Sequence, residues 1–208
     1  PSLRIHPAER SILLFISLLF TVQVGLFHLG TNLTTAGNTV VLLNVNPVHM
    51  VLLAHFFVPG DRLTARKLVS VLIAYGGVLL VFLPQIRGGT GSLAGDLVIS
   101  LAAILLAIRT IALNRAVQRV EPVKVLLTQA TIGIPFFFLI DLLVEGKIAS
   151  HYTLRLGWSL IYQGVLVSGF NFVINLWLLK RYQPSALAPF ILTTPLFGIL
   201  LTWWVLGE

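Results

Sequence analysis

The sequence contains no cysteine and few charged residues. Without cysteine the chain can form no disulfide, no thiolate metal site and no cysteine nucleophile. Charged residues make up only 10% of the sequence, whereas soluble domains usually carry about 25%. Hydrophobic residues make up 57%, and the mean hydropathy is +0.95. Because so little polar surface cannot cover a water-soluble fold, the composition indicates an integral membrane protein.

Motifs for catalysis and for nucleic-acid binding are also missing. The sequence has no Gly-x-Ser-x-Gly elbow, no His-Glu-x-x-His motif and no Walker A motif. Asp96, Asp141 and Glu145 fall at predicted helix ends, so no pair of carboxylates shares a membrane face for acid–base chemistry. The net charge of +7 comes from basic residues scattered between apolar runs. We therefore predict no enzyme activity, no catalytic or metal-binding residue, no cofactor and no nucleic-acid partner.

Seven apolar segments are long enough to cross a bilayer, which takes roughly 20 residues of helix. The connections between them are short and contain turn and charged residues, as in PGDRLTARK and KRYQP. We predict an all-α, polytopic membrane helix bundle with about seven transmembrane helices. The predicted spans are Ser11–Leu33, Gly37–Val58, Lys67–Leu83, Leu93–Arg115, Val123–Val144, Leu156–Leu179 and Ser185–Leu206.

The basic residues predict the orientation of these spans. Ten of the 14 Lys and Arg residues fall on the side of the N-terminal end, three on the opposite side, and Arg109 lies inside the fourth span. Basic loops usually remain in the cytoplasm. The N-terminal end of the chain is therefore predicted to be cytoplasmic.

The second and seventh spans share one pattern. They read AGNTVVLLNVNPVHMVLLAHFFVPGD and SALAPFILTTPLFGILLTWWVLGE, each with small residues first, a central proline and a final Gly-acid pair. The separation from Pro47 to Asp61 is 14 residues, and that from Pro195 to Glu208 is 13. Because the two spans are five spans apart, they cross the membrane in opposite directions. The pattern favours an inverted repeat, common in secondary transporters, over a chance recurrence of proline.

With these motifs the sequence resembles the EamA-type transporters of the drug/metabolite transporter superfamily. LVSVLIAYGGVLLVFLP is similar to the family's fifth helix and GSLAGDLVISLAAILLAIRTIALNR to its sixth, while Asp61 replaces a usual Glu. The seven spans correspond to the family's third to ninth helices, so we expect the sequence to be a fragment. The resemblance implies that residues 1–90 form the C-terminal part of a first EamA repeat, with three helices. Residues 91–208 would form most of a second repeat, with four.

The resemblance also implies a function. The expected activity is secondary transport, as an exporter or facilitator of small polar metabolites such as amino acids, by alternating access. A nucleotide-sugar-type carrier of the same superfamily and a non-transporting integral membrane subunit remain open alternatives. The expected partners are a small-molecule substrate and the lipid bilayer, with a homodimer left open. The expected location is the bacterial inner membrane.

The polar stretch NVNPVH interrupts the second span. At about 100° per residue, Thr39, Asn46 and His49 fall on one stripe of a helix. Pro47 removes one backbone hydrogen bond and frees a carbonyl near residue 43, which is tolerated where it lines a cavity or meets another helix. Asn46 and His49 are therefore predicted to bind substrate, with hydrogen bonding between packed helices as the alternative.

Polar residues in two other spans extend the predicted site. Asn171 and Asn175 lie on one face of the sixth span and face either a cavity or a neighbouring helix. Arg109 stands where the family's sixth helix is usually apolar. Its guanidinium either reaches the cytoplasmic headgroups or holds a substrate carboxylate. The predicted substrate-binding residues are Asn46, His49, Arg109, Asn171 and Asn175.

Overall fold

A computed structural model of the chain describes residues 5–89, 91–140, 142 and 153–206. These residues form ten α-helices and one π-helical segment, and no strand occurs among them. In chain order the elements are α1 (Pro7–Leu33), α2 (Ala36–Leu43), α3 (Asn46–Phe57), α4 (Ala65–Gly88), α5 (Leu93–Ala116), α6 (Pro122–Ile140), α7 (Leu154–Tyr162), the π-helical segment (Gln163–Phe170), α8 (Asn171–Arg181), α9 (Pro184–Ile191) and α10 (Thr194–Leu206).

Six helical segments among the described residues are long and apolar enough to cross a membrane. They correspond to the first six predicted spans: Pro7–Leu33, Ala36–Phe57, Ala65–Pro84, Leu93–Ala116, Pro122–Ile140 and Leu154–Arg181. The predicted seventh span forms two consecutive shorter helices, α9 and α10. The all-α polytopic membrane bundle is thus confirmed. The described residues exclude Asp141, Val144, Glu145 and Glu208, which were used in the sequence-based predictions.

Threonine starts three of these helices. The Oγ1 atoms of Thr35, Thr64 and Thr153 each accept a hydrogen bond from the backbone N–H three residues later, at 3.2, 3.3 and 3.2 Å respectively. A threonine in this position satisfies one of the N–H groups that have no partner at the start of a helix. These capping bonds help to define where α2, α4 and α7 begin.

The chain divides into two compact units. The first comprises Pro1–Thr21 and Leu113–Arg181, and the second comprises Val22–Ala112 and Tyr182–Glu208. The divisions fall within α1, within α5 and directly after α8. Because these units are defined by packing, they do not test the predicted division into repeats at residue 90, which remains a prediction.

In the first unit, α6 packs against α8. Lys124 at the start of α6 is buried and forms an ion pair with Glu9 at the start of α1, with 3.1 Å between Nζ and Oε2. Further along, the ring of Phe20 lies against Gly133, where an added Cβ would be 3.3 Å from the ring. The absent side chain of Gly133 therefore makes room for the aromatic ring.

In the second unit, α3, α4 and α9 pack against one another, and α2 packs against α4. A core cluster of this unit is almost fully buried, and α5 contributes Ala107 to it; the cluster consists of Met50, Val51, Val71, Val78, Ala107, Ala188 and Leu192. Lipid tails are as apolar as these side chains, so association of membrane helices depends on close packing. The small side chains of Ala107 and Ala188 permit that close packing.

Candidate functional site

Two of the predicted spans are interrupted at matching positions in the second unit. α2 ends at Leu43 and α3 begins at Asn46, while α9 ends at Ile191 and α10 begins at Thr194. The short helix before each break has eight residues. The second residue of each following helix is a proline. Proline is well tolerated in the first turn of a helix because its missing N–H would have no helical partner there.

The backbone follows the same path through both breaks. The N–H of Val45 donates to the carbonyl of Leu42 at 3.3 Å, and the N–H of Thr193 donates to the carbonyl of Phe190 at 3.1 Å. Each bond joins residues three apart and forms a tight turn in place of a continuous α-helix. The two copies of the sequence pattern therefore adopt the same local structure.

Both breaks contribute to one cavity of about 580 Å³. The nitrogen of a proline cannot donate to the carbonyl four residues earlier, and those residues are Leu43 and Ile191. Both line the cavity, as do Asn46 and Thr194, the residues that directly precede the two prolines. Equivalent positions of the two copies thus meet at the same space.

The rest of the lining is mostly apolar. It consists of Val40, Asn44, Phe82, Leu106, Pro195 and Gly198, and none of the described lining residues is charged. Sites for small molecules typically have volumes of roughly 300–1,000 Å³ and apolar walls with a few polar groups that orient the ligand. Asn44 uses its amide locally, since Nδ2 donates to the carbonyl of Val40 at 2.7 Å. Asn46 and Thr194 are left as the polar groups best placed to orient a ligand.

Asn46 carries an unsatisfied polar atom at this cavity. The residue is only 5% exposed, and its Oδ1 has no hydrogen-bond partner among the described residues. Two more buried atoms on the predicted stripe have no hydrogen-bond partner among the described residues, namely Oγ1 of Thr39 and Nδ1 of His49. His49 itself does not line the cavity. Buried polar groups are normally hydrogen-bonded, so the stripe indicates a place for a ligand or ordered water.

Arg109 lies in the same unit, away from the cavity lining. It is 9% exposed, and its Nη1 donates to Oε1 of Gln23 at 3.1 Å. A side chain that reaches the headgroups would expose its guanidinium, so this burial does not fit that alternative. Leu106, one turn earlier on α5, does line the cavity. Gln23 was not predicted as a partner of Arg109. In the sequence it stands out only as a single amide within the apolar first span.

The other two predicted residues belong to the first unit. Asn171 and Asn175 lie on α8, and both are exposed. Asn46, His49 and Arg109 belong to the second unit. A joint role of all five residues in substrate binding remains a prediction.

The sequence profile of the EamA-like transporter family matches residues 2–83 and 93–208. The chain belongs to the EamA-like transporter family. This confirms the family expected from the motifs, and with the six apolar helices it makes the chain an integral membrane protein.

Curated relatives of this EamA-like chain are themselves named uncharacterized transporters. YoaV of Bacillus subtilis is 21% identical over 186 residues, which are 89% of this chain and 63% of the relative. YvbV of the same organism is 24% identical over 180 residues, covering 86% and 58%. A transporter of Archaeoglobus fulgidus is 24% identical over 201 residues, covering 93% and 65%. The chain therefore spans less than two thirds of the length of these relatives.

A solved crystal structure has the same fold. It superposes with a TM-score of 0.80 over 96% of this chain and 70% of the other chain, at 18% sequence identity. At this identity the likeness shows the fold alone.

Proposed function

We propose that the protein is a secondary transporter of small polar metabolites such as amino acids, and that it works by alternating access. The observation that carries this proposal is the cavity of about 580 Å³ at two matching helix breaks. Discontinuous helices at a central binding site are a recurring feature of secondary transporters, because an interrupted helix presents backbone polar groups to the substrate. The activity proposed here is transport, without chemical conversion of the substrate.

The cavity lining favours a substrate that combines a polar head with an apolar part. Leu43, Phe82 and Leu106 provide an apolar wall, and Asn46 has a buried, unsatisfied oxygen that would accept a hydrogen bond from an ammonium or amide group once its side chain turns towards the cavity. An amino acid with an apolar side chain has both features. Its volume also lies well within the size of the cavity.

Arg109 remains a candidate for the substrate carboxylate. Its guanidinium is buried in the same unit as the cavity, and α5 carries both Arg109 and the cavity residue Leu106. A guanidinium can hold a carboxylate through two parallel hydrogen bonds, whereas a lysine ammonium acts as a point charge. We infer that a rotation of this side chain away from Gln23 would precede such a contact.

We further propose that the protein resides in a bacterial inner membrane with the N-terminal end of this chain in the cytoplasm. The excess of basic residues on that side, ten against three, supports this orientation.

Uptake of radiolabelled amino acids into proteoliposomes tests the proposed function. We expect uptake above that of empty liposomes, and we expect Thr194→Val to reduce it several-fold, because the change removes a hydroxyl from the cavity at nearly constant volume. Thr131→Val is the matched control. It removes a hydroxyl that bonds to the carbonyl of Leu127 on an exposed helix face. Equal uptake by both variants and the parent would contradict a binding role for this cavity.

A further inference from the structure

Asp61 joins three helices of the second unit. It follows α3 directly after Gly60, whose φ of +81° is a conformation that favours glycine. The Asp61 side chain is 0% exposed and forms an ion pair with Lys67 in the first turn of α4, at 2.6 Å. It also accepts hydrogen bonds from the N–H of Ser185 at 3.2 Å and from the Ser185 hydroxyl, in the first turn of α9. We call Asp61, Lys67 and Ser185 the Asp61 latch.

The latch has a clear electrostatic basis. The first turn of a helix carries unsatisfied N–H groups and a partial positive charge, so a carboxylate beside the start of α9 is favourable. Lys67 supplies a full positive charge on the other side. A buried carboxylate is strongly unfavourable without such partners. Separation of α9 from the end of α3 would therefore remove partners that the Asp61 carboxylate needs.

A packed apolar core adjoins both the latch and the cavity, since Leu63, two residues after Asp61, packs against it and so do Phe82 and Ile191 of the cavity lining. α3 has Asn46 of the cavity at its first residue and ends at Phe57, about 17 Å away at 1.5 Å per residue. The core residues along that length are Met50, Val51, Val71, Val78, Ala107, Ala188 and Leu192, each no more than 2% exposed. α3, α4 and α9 pack against one another around this core, so the core and then the latch separate the cavity from the side of Asp61.

We propose that the Asp61 latch is the gate on this side of the cavity, and that substrate passes this side only when the carboxylate releases Ser185. The inference rests on the proposed transport function, since alternating access requires the cavity to open to each side in turn. The described conformation is then the one closed towards Asp61. The predicted orientation places this closed side in the cytoplasm, because Arg62, Arg66 and Lys67 adjoin it.

The absence of native cysteine allows a direct test. Val40→Cys places one thiol in the cavity lining with little change in size. Two vesicle preparations of opposite orientation are each treated with a membrane-impermeant maleimide. A Thr64→Cys variant in a separate sample shows which preparation exposes the Asp61 side to the reagent. From that side, we expect slow labelling of the cavity thiol. We expect about a tenfold faster rate when Asp61→Asn or Ser185→Ala is added, since each weakens hydrogen bonds to a charged group.

Asp96→Asn serves as the matched control. Asp96 also accepts side-chain hydrogen bonds, from Thr34 at 2.5 Å and from Asn38 at 3.1 Å, but it lies at the start of α5, outside the latch. We expect no change in labelling from the Asp61 side. Ser185→Ala keeps the ion pair between Asp61 and Lys67, so it provides the test if Asp61→Asn does not fold. Parent-like labelling of folded Ser185→Ala and Asp61→Asn, or an equal increase with Asp96→Asn, would overturn the gate.

Labelling requires no substrate, so the gate and the proposed function can fail separately. Faster labelling of the two latch variants without uptake of any amino acid would support the gate and contradict the substrate class. Normal uptake of amino acids with unchanged labelling would contradict the gate and support the substrate class.

Discussion

Replacement of the two prolines that follow the helix breaks should make the protein more stable and less active. In Pro47→Ala, the new N–H at position 47 can donate to the carbonyl of Leu43, so that α2 and α3 can join into one helix. One added backbone hydrogen bond contributes about 0.5–1.5 kcal/mol. The gain is modest because Pro47 stands in the first turn of α3, where proline is well tolerated. The same reasoning applies to Pro195→Ala at the second break.

The loss of activity follows from the geometry of the cavity. A continuous helix turns by about 100° per residue, so closing the break changes the direction in which Asn46 projects. We expect transport by Pro47→Ala to fall at least tenfold while the free energy of unfolding rises. Uptake into proteoliposomes measures transport, and denaturant unfolding in detergent measures stability.

Pro84→Ala is the control for a general effect of proline. Pro84 lies inside α4, near its C-terminal end, and does not line the cavity. Proline in a helix interior is about 3 kcal/mol less favourable than alanine. Pro84→Ala should therefore stabilise the protein at least as much as Pro47→Ala, with transport unchanged. If Pro47→Ala transports at the parent rate despite higher stability, the break is not needed for substrate binding and our reasoning is wrong.

Two further predictions concern single polar residues. Gln23→Leu removes an acceptor from the buried guanidinium of Arg109 and should lower the free energy of unfolding by about 1.5–3 kcal/mol, the range for a hydrogen bond to a charged group. Unchanged unfolding would show that other contacts hold Arg109. His49→Leu should reduce transport with folding intact, whereas His55→Leu should have a smaller effect because its Nδ1 takes part in an exposed hydrogen bond, from the N–H of Leu63. Equal effects at both histidines would assign His49 to helix packing.

The spans and the break in the second span were predictable because local physics determines them. The thickness of the bilayer sets the length of an apolar helix, and the first six predicted spans all appear. Proline removes a defined hydrogen bond, so Pro47 predicted a freed carbonyl near residue 43. Leu43 indeed lines the cavity. The same rule applies to Pro195, although its span was predicted to be one continuous helix.

The partners of the buried charged groups could not be predicted in this way. Asp61 and Ser185 are 124 residues apart, and Gln23 and Arg109 are 86 apart. No local periodicity relates such positions, because their meeting depends on how whole helices pack. The sequence showed that Arg109 is unusual in a membrane span and that Asp61 departs from the family pattern. It did not show which side chains bind them.

The duplication of the break is the strongest argument that the cavity is functional. In the hydrocarbon core, a backbone carbonyl without a partner is unfavourable by several kcal/mol. A single break in α2–α3 could be explained by packing, with Asn46 bonded to a neighbouring helix. That explanation requires a partner for Oδ1, and none exists among the described residues. It also requires a second, independent reason for the break before Pro195. The substrate proposed here would account for both breaks, since one ligand can satisfy polar groups from each.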